Sequence, residues 1–309
     1  MRILVTESQY RKILKELSDP PIEIPIRFYM FDWDDNIRYM PTKIYVKTKT
    51  GKTIQMGTED FAHHRDKLSK GIDFEYKNKI VTGMAENPFQ DFRSGYDKFK
   101  IDVDKSKQAP AWSSFVKAIN SGSPLAIITA RGHHPDVLKD ALRDLIDSNK
   151  GGISKVKLFK SLVERKEMVG QEPLSEGEEV DNYLEDCLYY TVGYHYPSGG
   201  SAKPEVIKAE AMTFFKESGE ELINSMNDKL EADGIYDYTF VAKFGFSDDD
   251  RKNIEHAIKS TKGIDIFYTG RGKEEKVKDV EKDYIDPEFN KEDELKLEYN
   301  IKKLLYKLI

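Results

Sequence analysis

Residues 28–36, Phe-Tyr-Met-Phe-Asp-Trp-Asp-Asp-Asn, constrain the fold of this chain more than any other stretch. Four apolar or aromatic residues end abruptly on Asp32, and a second carboxylate, Asp34, follows two positions later. A short apolar run without alternation reads as a strand buried on both faces, the kind found in parallel sheets covered by helices. Open α/β sheets hold their ligands outside the carboxyl ends of such strands. Extended geometry puts Asp32 and Asp34 on one side of the chain. Two carboxylates that close are unfavourable unless a cation or a proton sits between them. Taken alone, the same residues also describe a hydrated acidic turn.

Three further segments follow in order. Pro124-Leu-Ala-Ile-Ile-Thr-Ala-Arg131 is a second apolar strand, ending on the hydroxyl of Thr129. Gly200-Ser-Ala-Lys203-Pro204 is a loop that delivers a lysine to a helix start, with Pro204 suited to the first helical position. Tyr238–Phe246 is a third strand, followed by Ser247-Asp248-Asp249-Asp250 and then Asn253. With these segments the chain resembles the haloacid dehalogenase-like superfamily, whose pattern is strand-Asp-x-Asp, strand-Thr/Ser, Lys, strand-acidic cluster. The resemblance spans residues 26 to 268. It implies an α/β fold, a Rossmann-like three-layer core with a mainly parallel sheet, and a β-hairpin-containing cap inserted after the first core strand.

The chain has 309 residues, enough for one large α/β domain with an insertion or for two domains. Its 49 Lys and Arg against 55 Asp and Glu give a net charge of −6. That balance provides no general steering toward nucleic acid or anionic membrane, while leaving room for a local basic patch. The single cysteine, Cys187, excludes an internal disulfide, fits a reducing compartment and lies in an apolar run suited to buried packing. No apolar run approaches the roughly 18 residues that span a bilayer, and the first residues break into charge too early for a signal peptide. The expectation is a soluble, cytoplasmic protein.

Tyr10, Ile13, Leu14 and Leu17 share one helical face, so residues 1–20 form an N-terminal amphipathic helix that Thr6 caps. The opening Ile-Leu-Val-Thr-Glu-Ser-Gln-Tyr also looks like the N-termini of tailed-phage proteins, which would place the chain in a host cytoplasm. Residues 22–37 and 109–268 are expected to form the core. Residues 38–108 form an insertion, far longer than an ordinary crossover needs. Within it Lys43–Met56 alternates and turns near Thr50-Gly51, a β-hairpin signal, and Phe61 to Gly71 is helical or irregular. Pro110–Ile119 supplies a helix returning to the sheet, and residues 135–148 form an amphipathic helix. Lys155 to Phe159 reads as a strand, Glu164 to Asp186 as a mobile acidic loop, and Ile264–Tyr268 as a last strand. Residues 270–309 are charged and end in an apolar helical stripe suited to packing on the core or to an oligomer contact.

Carboxylate attack on phosphorus would make Asp32 a nucleophile and divide hydrolysis into two easier steps. An oxygen-ligated Mg²⁺ suits such a site, because the charge of the phosphate must first be neutralised. By resemblance the metal touches the Asp32 carboxylate, the Asp34 carbonyl, and Asp249 or Asp248 of the third cluster. Asp34 is then the acid that protonates the leaving oxygen and later activates water. Dehalogenase branches lack that second acid, so its presence favours phosphoryl chemistry. Thr129 and the Ala130 N–H can hold a phosphoryl oxygen. Arg131 is a candidate for substrate recognition, with a surface ion pair as the plain alternative. Lys203, in the loop, is expected to neutralise the phosphoryl group; Lys208, inside the helix, is the fallback. Asn253 supports the metal ligand and the substrate, Asp250 caps the next helix, and Asn36 stands where the superfamily usually has Thr or Val. The pairs His63-His64 and His133-His134 are poorly disposed for zinc, since adjacent side chains do not converge on one ion.

Two readings follow. One is a Mg²⁺-dependent phosphohydrolase working through an aspartyl-phosphate on a phosphorylated small molecule, a nucleotide or a nucleic-acid end; Ile-Thr-Ala-Arg is compatible with polynucleotide-end phosphatases. The other is a non-catalytic binding or assembly protein on the same fold.

Overall fold

The computed structural model describes residues 20–168, 171–195, 203–270 and 272–277. The helix expected over residues 1–20, but for its last residue, and the apolar C-terminal stripe lie outside the described residues. The core strands are β1 (Ile22–Phe31), followed within the insertion by β2 (Arg38–Tyr39), β3 (Ile44–Thr48), β4 (Thr53–Met56), β5 (Phe74–Tyr76), β6 (Lys79–Met84) and β7 (Lys107–Gln108). After the insertion come β8 (Leu125–Thr129), β9 (Leu188–Thr191), β10 (Tyr238–Asp248), β11 (Ile264–Tyr268) and β12 (Glu275–Val277). The helices are α1 (Thr58–Ser69), α2 (Tyr96–Lys105), α3 (Trp112–Asn120), α4 (Pro135–Asp147), α5 (Lys155–Met168), α6 (Glu176–Asp186), α7 (Val192–His195), α8 (Pro204–Ala232) and α9 (Arg251–Ser260).

The main sheet runs β12-β11-β10-β1-β8-β9 and is parallel except for the β11–β12 pair at its edge. The strands divide their side chains between two cores. Phe31, Leu125, Ile127 and Tyr189 pack under α3 to α6, whereas Phe28, Met30, Ala126, Ile128, Phe244 and Phe246 pack under α8 and α9. This two-sided burial is why β1 and β8 lack polar alternation. Gly219 brings α8 close to the sheet: a Cβ there would lie 2.7 Å from Phe244 and 2.8 Å from Phe28. Pro204 occupies the first turn of α8, where its missing N–H costs no hydrogen bond.

Two sequence readings fail here. Lys155 to Phe159 is the start of α5, not a strand: Leu158 reaches the core under α3 to α6 while Val156 and Lys157 face water. The acidic stretch from Glu164 to Asp186 is largely helical. α5 runs to Met168, and α6 begins at Ser175, whose hydroxyl and the Glu178 carboxylate cap each other's backbone N–H. That Ser-x-x-Glu pattern was present in the sequence, masked by the charge around it.

The chain leaves the core through β2 and returns through β7, which pair with each other. Between them a four-stranded antiparallel sheet, β4-β3-β6-β5, carries α1 on one face. Val46, Met56, Phe74, Tyr76 and Val81 form its small core, with Phe61 and Leu68 of α1 packed against it.

Candidate active site

β1 is the strand at which the chain's path through the sheet reverses. β8 and β9 are added on one side of it, then β10 and β11 on the other. The carboxyl ends of β1, β8 and β10 therefore border the crevice where this class of sheet takes ligands. In β1, pairing with β10 sets Phe31 beside Ser247, so Asp32 and Asp248 leave adjacent strands at the same level. The Asp32 N–H donates to the Ser247 carbonyl at 3.0 Å.

Asn36 fastens the two loops together. Its Nδ2 donates to the carbonyls of Asp32 (3.1 Å) and Ser247 (3.0 Å) and to the Ser247 hydroxyl, and its Oδ1 accepts from Thr269. Asn36 is fully buried, so its amide has to find partners, and these hydrogen bonds satisfy it. Asn36 thus has a structural purpose that the sequence alone did not reveal. Asp35, at φ 54°, turns the chain in the left-handed region that Asp tolerates better than most residues.

Lys208, and not Lys203, is the site's lysine. Its Nζ lies 2.8 Å from both Asp32 Oδ1 and Asp248 Oδ2, and it is almost wholly buried. Lys203 is exposed and precedes the first turn of α8. The expectation for Lys203 treated the helix as closed to the site. In the fold, α8 lies against the β1–β10 face, and a residue one turn into it points straight at the carboxylates. Helical spacing made this legible: Lys208 falls between Ile207 and Ala211 on the buried stripe.

Asp32, Asp248 and Asp249 each offer an oxygen within 4.8 Å of one another. Asn253 donates to Asp248 Oδ2 at 2.9 Å and the Asp250 N–H donates to Asp248 Oδ1 at 2.8 Å, so both orient that carboxylate. Asp250 caps α9 by accepting from the Lys252 N–H. Burial pushes the Asp32 carboxyl up to about 7; Lys208 opposes this, while Asp248 and Asp34 add to it. Burial likewise raises Asp248 and, aided by Asp248, Asp32 and Asp35, raises Asp249 well above the carboxylate range. Burial works against the Lys208 ammonium, yet Asp248 and Asp32 hold it above its ordinary value. With one lysine among them, the three crowded carboxyls can all ionise only if a further cation joins them, and the donors are all oxygen. A hard divalent cation fits that set.

Asp34 and Arg131 form a bidentate pair, Nε to Oδ2 at 2.7 Å and Nη2 to Oδ1 at 2.5 Å. Arg131 Nη2 also donates to Thr42 at 2.7 Å, and its guanidinium lies between the rings of Phe92 and Phe99. Arg131 is 1 % exposed, so a surface ion pair does not describe it: it holds Asp34, and its Nη1 is buried without a hydrogen-bond partner. Its own N–H donates to the Thr129 hydroxyl at 3.4 Å, at the carboxyl end of β8. Thr129 is buried beside the first-strand loop and makes no hydrogen bond with Asp32.

The insertion sits on this face of the molecule. Thr58, opening α1, donates to Asp35 at 2.5 Å, and Arg65 grips both oxygens of Asp250. Lys252 pairs with Asp66, and the His133 ring meets the Ser94 hydroxyl at 3.0 Å. Burial, aided by Arg131, drives His133 down to about 3, so it is neutral here. No protein-family model, curated protein or solved structure matches the chain.

Proposed function

We propose that this chain is a divalent-metal-dependent phosphohydrolase with the haloacid dehalogenase-like arrangement of parts. The observation that carries the reading is Lys208 bridging Asp32 and Asp248 at 2.8 Å each, with Asp249 beside them and Arg131 gripping Asp34. A structural scaffold has no need of two buried carboxylates on one lysine with a third, half-buried, beside them, since each charge is costly to bury.

Mg²⁺, held by the Asp32 carboxylate, the Asp34 carbonyl and Asp248 or Asp249, would supply neutralisation of the phosphate charge. Asp32 Oδ attacks phosphorus as the bond to the leaving oxygen breaks, giving an aspartyl-phosphate. Asp34 donates the proton that the leaving oxygen needs, then takes one from the water that attacks phosphorus and releases Asp32 and inorganic phosphate. Lys208 keeps Asp32 oriented and offsets charge on the phosphoryl oxygens, and Thr129 with the Ala130 N–H is suited to receive one of them. Arg131 fixes Asp34 toward the scissile oxygen.

The test is a phosphatase screen over phosphometabolites, nucleotides and phosphorylated oligonucleotides, with and without Mg²⁺. Turnover abolished by EDTA is expected. Undiminished activity after exhaustive chelation would overturn the metal-dependent mechanism, whereas no turnover together with failure of beryllofluoride and Mg²⁺ to bind at Asp32 would leave the non-catalytic reading standing.

A further inference from the structure

Charge is unevenly divided along this chain. Residues 38–108 carry fifteen Lys and Arg against ten Asp and Glu, a net +5, so the remaining residues sum to −11. Within the insertion the asymmetry sharpens: residues 43–57 hold four lysines and no carboxylate. The fold then gathers these charges. The turn between β3 and β4 and the turn between β5 and β6 lie at one end of the four-stranded sheet, because Thr48 pairs with Val81 and Tyr76 with Lys79. Lys47, Lys49, Lys52, Lys77 and Lys79 are all exposed there. Beside them an open cavity is lined by Tyr45, Thr53, Gln55, Tyr76, Lys77 and Lys79. α1 covers the opposite face of the sheet; the face bearing Tyr45, Lys47, Thr53 and Gln55 is met at Tyr45 by the 3-10 turn Gln90–Arg93, whose Asp91 accepts from the Tyr45 hydroxyl at 3.3 Å, and leaves Lys47, Thr53 and Gln55 exposed.

The lysine end does not touch the carboxylates. Thr58 contacts Asp35 beside the site, and the chain from Thr58 back to Thr53 is largely extended. At roughly 3.3 Å per residue this separates the two regions by about 17 Å. A mononucleotide or sugar phosphate cannot engage both, whereas a polyanion of a few repeating phosphates can. An aromatic ring stands at the near end: Tyr39, 44 % exposed, follows Arg38, whose carbonyl accepts from the Asp35 N–H at 2.8 Å. The ring itself stands among Asp35, Glu59 and Asp249, and the lysines cluster beyond the uncharged stretch 53–58, so a strand reaching both would stack a base on Tyr39 and place its later phosphates on the lysines.

Building on the phosphohydrolase reading, we propose that the substrate is the phosphorylated end of a single-stranded nucleic acid. The terminal phosphate enters at Asp32, the adjoining base meets Tyr39, and the strand runs over the insertion to the lysines of the β3–β4 and β5–β6 turns.

Two measurements test this. Fluorescence anisotropy with a single-stranded oligonucleotide of about 12 nucleotides lacking a terminal phosphate isolates the track from the chemistry. The logarithm of affinity should fall linearly with that of salt, by ~0.7 per phosphate contacted, and the Lys47→Glu/Lys49→Glu/Lys79→Glu variant should bind at least about tenfold more weakly with a shallower slope. Phosphate release is then compared between that oligonucleotide phosphorylated at either end and a mononucleotide. Wild type should prefer the oligonucleotide in kcat/KM, and the triple variant should lose that preference. Turnover of mononucleotides with no oligonucleotide binding, or equal preference in wild type and variant, overturns the substrate assignment while the phosphohydrolase reading survives. Oligonucleotide binding with no turnover of any phosphorylated compound overturns both.

Discussion

Asp32 and Asp34 differ in role because they differ in partner: Asp32 meets Lys208 and the other carboxylates, and Asp34 meets Arg131. Asp32→Asn removes the proposed nucleophile and should abolish turnover, while stability changes little because Lys208 keeps Asp248. Asp34→Asn loses only the proposed proton donor and later base, worth about 10²–10⁴-fold. With an activated leaving group its first step should survive better than its second, and phosphorylated enzyme should accumulate on Asp32, read by mass spectrometry as one added phosphoryl group. Lys208→Met strands two buried carboxylates and should lower stability by about 3–5 kcal/mol as well as removing activity. Lys203→Ala, on the surface, should change stability by no more than about 0.5 kcal/mol. Denaturant unfolding of both variants checks the contrast, and a strong effect at Lys203 with none at Lys208 would refute the reassignment.

Between elements, the insertion and the catalytic loops are joined through side chains that serve both. Arg131 bridges Asp34 to Thr42 and lies between Phe92 and Phe99, and Arg65 grips Asp250 at the start of α9. Arg131→Lys keeps the charge but not the planar two-pronged grip. It should therefore slow substrates with poor leaving groups more than activated ones, since only the former depend on a well-aimed Asp34. Equal loss for both, measured as kcat over a leaving-group series, would mean that Arg131 serves folding alone. Removal of the Lys43–Met56 hairpin should alter substrate preference more than it alters the thermal stability of the core, because its apolar residues pack in a separate small cluster.

For the whole molecule the crowded carboxylates set a pH dependence. Burial raises Asp32 to about 7 from 3.8, so the folded state holds a proton that the unfolded chain releases. That contribution to stability is complete below the unfolded value and is lost as pH rises through about 7. A divalent cation replaces the proton, so the rise in Tm produced by Mg²⁺ should be small near pH 5 and grow toward pH 8. A Mg²⁺ shift independent of pH, or equal in Asp32→Asn, would contradict the proposed ligand set. The parallel strands, their carboxyl-end acids and the Asp250 cap were legible in the sequence, because two-sided burial and capping leave one-dimensional patterns at β1, β8, β10 and α9. The sequence also carried the lysines of residues 43–57, but as scattered charges in an acidic chain. Tertiary structure alone decided which lysine faces Asp32, that Asn36 joins two loops 211 residues apart, and that Arg131 grips Asp34. Each depends on which helix face or loop end meets which strand, a relation among distant segments that no local period records.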